Sequence, residues 1–125
     1  MIALDASALL AYLHQEPGWK KVQAVLADTC ISAVNWSEVA QKISQKGMDV
    51  GAVRGLLEEL GLSIEPFSIE QAECAALLWE KGREYGLSLA DRACLALAVQ
   101  REIAVITADR VWPELGLTVD IQLIR

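Results

Sequence analysis

Five short apolar runs punctuate this chain: Ile2 to Leu4, Cys30 to Ser32, Ser63 to Glu65, Ile103 to Thr107 and Val119 to Leu123. Each is too short for a helix and is bounded by turn residues, which predicts strands. Between them lie longer stretches with helical spacing: Ala6 to His14, Trp36 to Lys46, Val50 to Leu60, Ile69 to Glu84 and Leu89 to Arg101. Strands alternating with helices of crossover length imply a mainly parallel sheet, right-handed connections and helices on both faces. The expected fold class is therefore α/β, three layers α/β/α around a central sheet of about five strands.

Boundary residues support these limits. Gly47 follows one helix, Asp49 can cap the next, Gly61 ends it, and Ser68 with Gln71 has capping-box spacing. Gly51 and Gly55 weaken the Val50 to Leu60 helix by about 1 kcal/mol each relative to Ala. With 125 residues, 54% of them hydrophobic, the chain is expected to form a single domain, 1–125, with a real core. No apolar run approaches the length that crosses a bilayer, and the opening Met1-Ile2-Ala3-Leu4 has no basic flank and meets Asp5 at once. A soluble, unexported, cytoplasmic protein is the expectation. Cys30, Cys74 and Cys94 lack metal or redox spacing and read as buried packing residues in a reducing compartment.

A formal charge of -6 and a pI near 4.7 exclude a protein that coats nucleic acid through a broad basic face. Nucleic acid would have to be met locally. The acidity remains compatible with a nuclease if negative charge is gathered in a pocket where bound cations reverse the local sign. It also suits a basic protein partner.

Four acids stand out by position. Asp5 lies where the first strand gives way to the first helix, and alone it reads more readily as an N-cap than as a site residue. Glu38 follows Asn35 by three residues and Asp91 follows Ser88 by three, both with capping-box spacing. Asp109 closes the run Val105-Ile106-Thr107-Ala108 and can cap the turn after it. In an open parallel sheet, however, strand carboxyl ends and the following helix N-termini share one edge, where ligands bind. All four acids are expected on that edge. Helix N-termini favour ionised carboxylates, and a cation between them would offset their repulsion. Mg2+ or Mn2+, which prefer a few carboxylates with waters and substrate phosphate, fit such a set.

Ser7 and Thr107 each sit two residues from an Asp, within reach of a carboxylate or phosphate oxygen or of an ordinary turn bond. Arg92 and Arg110 each follow a candidate ligand and could steady the phosphodiester, or pair on the surface. His14 is the only histidine, which excludes a two-histidine acid–base ribonuclease. Trp19, Trp36, Trp79 and Trp112 lie among apolar residues and read as core packing rather than base stacking.

Four segments in one order carry a resemblance: Leu4-Asp5-Ala6-Ser7-Ala8-Leu9-Leu10, Asn35-Trp36-Ser37-Glu38-Val39, Ser88-Leu89-Ala90-Asp91-Arg92-Ala93-Cys94-Leu95-Ala96-Leu97-Ala98, and Ile106-Thr107-Ala108-Asp109-Arg110-Val111-Trp112. Together they resemble a PIN domain, and within that family the VapC toxins of type II toxin–antitoxin pairs, over essentially the whole chain. The resemblance implies a Mg2+- or Mn2+-dependent endoribonuclease in which a metal-activated water hydrolyses RNA phosphodiesters. It implies Asp5, Asp91 and Asp109 as metal ligands, Glu38 as a ligand or the group orienting the attacking water, and Ser7 and Thr107 as hydroxyl neighbours. Glu114 and Asp120, the only later acids, match no position in that pattern. The resemblance also implies a homodimer silenced by a small antitoxin in an apolar groove, for which Leu9, Leu10, Leu13 and Trp19, with Val53, Leu56 and Leu60, are candidates.

Rival readings fit less well. A receiver-type signalling module expects an acidic pair near the first strand and an Asp after a central strand, and no Asp follows Ser63 to Glu65. An aspartyl phosphatase would want Asp where Ser7 stands, and a dinucleotide-binding domain a Gly-rich first turn. A catalytically silent partner-binding scaffold of the same fold would not need all four acids.

Overall fold

In the computed structural model, which describes residues 1–125, strands β1 (Ile2–Leu4), β2 (Thr29–Ser32), β3 (Leu62–Glu65), β4 (Ala104–Thr107) and β5 (Ile121–Leu123) form one sheet. The order is β3-β2-β1-β4-β5 and every pairing is parallel. Helices α1 (Ala6–His14), α2 (Trp19–Val25), α3 (Ala33–Gln45), α4 (Val50–Glu59), α5 (Ile69–Leu77), α6 (Trp79–Gly82) and α7 (Leu89–Arg101) complete a three-layer α/β/α fold. No helix is long and apolar enough to cross a membrane.

The two-residue period of the strands sorts the core. Leu4, Ile31, Leu62 and Ile106 face one way and pack with Leu9, Val22, Val39, Ile43 and Leu57 of α1 to α4. Their neighbours Ala3, Cys30 and Val105 face the other way, onto Cys94, Leu95, Leu97 and Ala98 of α7 and onto Trp112. Residues 93–98 of α7 are all fully buried, so this helix is apolar on every side there. Residues Ala93, Cys94, Ala96 and Ala98 are small enough to bring it close to both the sheet and α5, against which it packs.

Two glycines fix close approaches. Gly18 enters α2 with φ +93°, and a Cβ there would fall 2.3 Å from the Ile124 carbonyl oxygen. Gly61, at φ +112°, would clash with the Ala27 backbone at 2.5 Å. Each position needs both the left-handed conformation and the missing side chain.

The structure departs from the sequence expectation at four places. Helix α3 starts at Ala33 rather than Trp36, capped by Ser32, whose hydroxyl accepts the Val34 amide at 3.2 Å. Asn35 and Glu38 therefore form no capping box. Helix α2 was not expected. The stretch Ile69 to Glu84 breaks at Leu78 into α5, α6 and a 3-10 turn Arg83–Tyr85, where Leu87 folds back over buried Gly82. Ser68 does cap α5 through the Gln71 amide, yet the Gln71 side-chain carbonyl is buried without a partner, so the reciprocal bond is missing.

Among the tryptophans, Trp112 is fully buried while Trp79 is 50% exposed, correcting its reading as core. Arg83 lies over its ring, 5.4 Å from the centroid. Cys30 and Cys94 are buried, with burial pushing the Cys30 thiol up to about 11, whereas Cys74 is only partly buried.

Candidate active site

The sheet order reverses direction between β1 and β4, whose carboxyl ends therefore open a crevice between connections that run to opposite sides. Asp5 follows β1 directly and Asp109 lies two residues beyond β4. Asp5 is 6% exposed, and three groups fix its carboxylate. Oδ1 accepts from the Ala8 amide at 2.9 Å and from Ser7 Oγ at 2.7 Å, and Oδ2 accepts from Thr107 Oγ1 at 2.7 Å. Asp5 is thus both the N-cap of α1 and a site residue. Each hydroxyl is held in turn by the strand-end loop: Ser7 Oγ accepts the Ala108 amide at 3.0 Å and Thr107 Oγ1 the Asp109 amide at 3.0 Å. Asp109 uses Oδ1 to accept the Val111 amide at 3.0 Å.

The other two acids come from helices on opposite faces of the sheet. Asp91 closes a true capping box at the start of α7: Oδ2 accepts the Ser88 amide at 2.9 Å, and Ser88 Oγ accepts the Asp91 amide at 3.1 Å. Glu38 lies exposed on α3. Between them stands Asn35, 2% exposed, whose Nδ2 donates to Glu38 Oε1 at 3.4 Å and to the Ala90 carbonyl at 3.0 Å. One amide thus ties the Glu38 side chain to the residue preceding Asp91.

Asp5, Glu38, Asp91 and Asp109, with Ser7, Asn35 and Lys42, line one cavity of about 280 Å³. Burial raises the Asp5 carboxyl from 3.8 to about 6; the bonds from Thr107, Ser7 and the Ala8 amide lower it, and the nearby Asp91 charge raises it further. No Lys or Arg forms an ion pair with Asp5. A buried anion without a counter-charge is the environment a cation would relieve. The donor set is all oxygen, which suits a hard divalent ion. As they stand, no three of the acids converge to enclose a metal ion, so waters and a substrate phosphate would have to complete the coordination.

A family model for the PIN domain matches residues 2–116. The chain belongs to the PIN domain family. Solved structures share the fold of this PIN domain over nearly its full length. A chain of a toxin–antitoxin complex from Klebsiella pneumoniae is 21% identical with a TM-score of 0.80, covering 100% of this chain and 98% of that one. A chain of DNA-bound VapBC from Salmonella typhimurium is 13% identical with a TM-score of 0.74, covering 99% and 98%. VapC20 of Mycobacterium tuberculosis, a toxin that cleaves the sarcin-ricin loop, is 17% identical with a TM-score of 0.72, covering 94% and 97%. No curated protein is significantly similar in sequence.

This PIN domain brings together all four acids named from sequence, together with Ser7 and, behind Asp5, Thr107. It does not bring Arg92 to them. That guanidinium turns into the seam between α5 and α7, donating Nη1 to the Ala75 carbonyl at 2.8 Å with Nε buried and unpartnered. It makes no surface ion pair either. Arg110 is exposed and lies outside the cavity lining. Glu114 is exposed outside it too, and Asp120 precedes β5 at the opposite edge of the sheet, its carbonyl accepting the amide of Val105, the second residue of β4, at 2.9 Å. Asn35 and Lys42, which line the cavity, were not singled out as site residues from sequence. Asn35 was seen only as a cap, and Lys42 carries a signal solely in being four residues beyond Glu38, on the same helix face.

Proposed function

We propose that this PIN domain is a Mg2+- or Mn2+-dependent endoribonuclease acting as the toxin of a type II toxin–antitoxin pair in the cytoplasm. The observation that supports this reading is the meeting of four carboxylates from four separate elements in one cavity at the sheet's switch point. Asp5, Asp91 and Asp109 would hold the metal, with Glu38 as a further ligand or the group that orients the attacking water.

The residues divide the work by how tightly they are held. Asp5 is immobilised by three donors, so its geometry is set before substrate arrives. Asp91 and Asp109 each spend one oxygen on a backbone amide, and their second oxygen has no protein partner. Glu38 is exposed and has one long bond from Asn35, which leaves it free to take a proton from water. A divalent ion, when bound, would lower the pKa of water and neutralise phosphate charge. Overall, a water oxygen adds to phosphorus, one P–O ester bond breaks, and the departing oxygen takes up a proton.

Of the similar structures, one is a toxin–antitoxin complex, one is VapBC bound to DNA, and one is a toxin that cleaves the sarcin-ricin loop. By analogy, a cognate antitoxin would dock on a recess of about 170 Å³ formed by Leu13, Ile43, Met48 and Val53 with His14 and Lys46 at its wall, Leu56 and Leu60 being exposed on the chain that follows Val53. Leu9 is fully buried and takes no part. A homodimer would form through the exposed apolar residues of α5, α6 and the start of α7.

The test is cleavage of total cellular RNA by the purified protein with Mg2+ or Mn2+ against EDTA, and Asp5→Asn in parallel. Metal-dependent products that disappear in Asp5→Asn are expected. Cleavage that persists in EDTA, or full activity in Asp5→Asn, would overturn the reading, and no cleavage at all would favour a partner-binding scaffold.

A further inference from the structure

The acidic cavity has a basic neighbour. A second cavity, about 390 Å³, shares Ser7, Leu10 and Lys42 with the first and continues past His14 and Lys46 to Arg125, with Glu16 as its one acidic wall residue. In a chain with 11 Lys and Arg against 17 Asp and Glu, three of the bases and the single histidine line this one recess. None of Lys42, Lys46 or Arg125 enters an ion pair. Lys46 Nζ lies 3.1 Å from His14 Nε2, and Arg125 Nη1 donates to the Pro17 carbonyl at 2.8 Å, so two of the cations are positioned rather than loose.

We infer that this recess is the track on which a single-stranded RNA backbone lies as it enters the carboxylate cavity, with Lys42 at the junction, Lys46 beside His14 next, and Arg125 at the far end. The inference rests on the nuclease reading above. Its physical basis is the mismatch that reading creates: a cavity lined by four carboxylates repels a polyanion until cations are bound. Attraction has to come from a flank. Lys42 is one turn beyond Glu38 on α3, so a phosphate held there adjoins the one at the carboxylates. Lysines and arginine supply charge without reading bases, so the track adds affinity to any sequence and leaves target choice to other surfaces.

The test uses Lys46→Ala with Arg125→Ala, both exposed residues outside the carboxylate cavity, and Lys81→Ala on α6 as a control for lost positive charge. Binding of a short fluorescent single-stranded RNA is measured by anisotropy in EDTA, as a function of salt, for each protein. Two lost phosphate contacts should weaken binding on the order of tenfold near physiological salt and flatten the log–log salt slope by about 1.4, at roughly 0.7 per phosphate. Lys81→Ala should change neither. In cleavage assays the double variant should show the loss in KM. Equal affinity and slope in the double variant overturn the track. An unchanged RNA affinity with weakened binding of poly-glutamate overturns it in favour of an acidic protein segment. Wild-type cleavage that Asp5→Asn abolishes, measured alongside, shows whether the nuclease reading stands when the track fails.

Discussion

At Asp5 the requirements of folding and of chemistry oppose each other. The carboxylate is nearly inaccessible, and burial holds its pKa near 6 despite three hydrogen bonds. In the absence of a cation its ionised form destabilises the fold near neutral pH, because desolvation of the charge outweighs those bonds. Asp5→Asn keeps an acceptor for the Ala8 amide and removes the charge. Its melting temperature in EDTA near neutral pH should equal or exceed that of the wild type by a few degrees, while cleavage is lost; a variant several degrees less stable would show that the cap matters more than the buried charge. Asp5, Asp91 and Asp109 were legible in sequence because each occupies a strand end or first helical turn, positions readable from local pattern; Glu38, in the second turn of α3, was reached only through its spacing from Asn35, a cap that does not form. Lys42, Asn35 and Arg92 were not, because what decides them is tertiary. Nothing near residue 92 announces that its guanidinium will find the Ala75 carbonyl, and nothing near residue 35 announces the Ala90 carbonyl.

Between elements, the site depends on the spacing of α3 and α7, which approach from different layers. Asn35 spans them, and its Oδ1 is buried without a partner, a cost that the structure bears at this junction. Asn35→Ala removes both the bridge and that orphan oxygen, so the two effects on stability partly cancel, within about 1 kcal/mol by chemical denaturation. Activity should fall by about tenfold or more, since groups that position metal ligands carry effects of about 10- to 100-fold. Unchanged cleavage would reduce Asn35 to packing. At the sheet edge, Glu65 of β3 accepts from Arg101 at the end of α7 at 2.8 Å, and that bond holds the Glu65 carboxyl below its ordinary 4.5. A depressed carboxyl stabilises the fold above its unfolded value and loses that contribution as pH falls through the folded one. Glu65→Gln should therefore melt lower than wild type near neutral pH, by the equivalent of about 0.5–1 kcal/mol for a partly exposed pair, and the difference should vanish well below pH 4.5. A difference that persists in acid would place the effect elsewhere. Element types and order were readable because apolar period and length separate strands from crossover helices. The limits of α3 and the existence of α2 were not. Ser32 reads as the end of a strand until its cap is seen, and α2 is seven residues long with only Val22 buried, placed by the contact of Gly18 with Ile124.

Across the whole molecule, apolar surface is left where solubility would not put it. Ile69, Leu77, Trp79 and Leu89 are 74%, 81%, 50% and 54% exposed, and all belong to α5, α6 and the first residue of α7. Ile69 and Leu77 are eight residues apart and so share one face of α5. Scattered apolar residues are ordinary on a surface, but several on consecutive elements mark an interface. A net charge of -6 opposes unspecific association of two copies, so any self-association has to be driven by such a face. A symmetric pairing would bury each of these side chains against its own counterpart or neighbour. We therefore expect a dimer in sedimentation at micromolar concentration, and a monomer for Leu77→Asp, which places a charge at the most exposed of the four. Because Leu77 contributes little to the core, the variant should keep its melting temperature apart from the part coupled to dimerisation. A Leu77→Asp protein that still sediments as a dimer would move the interface to exposed Leu56 of α4 and Leu60 just past its end, and leave the α5 face for another partner.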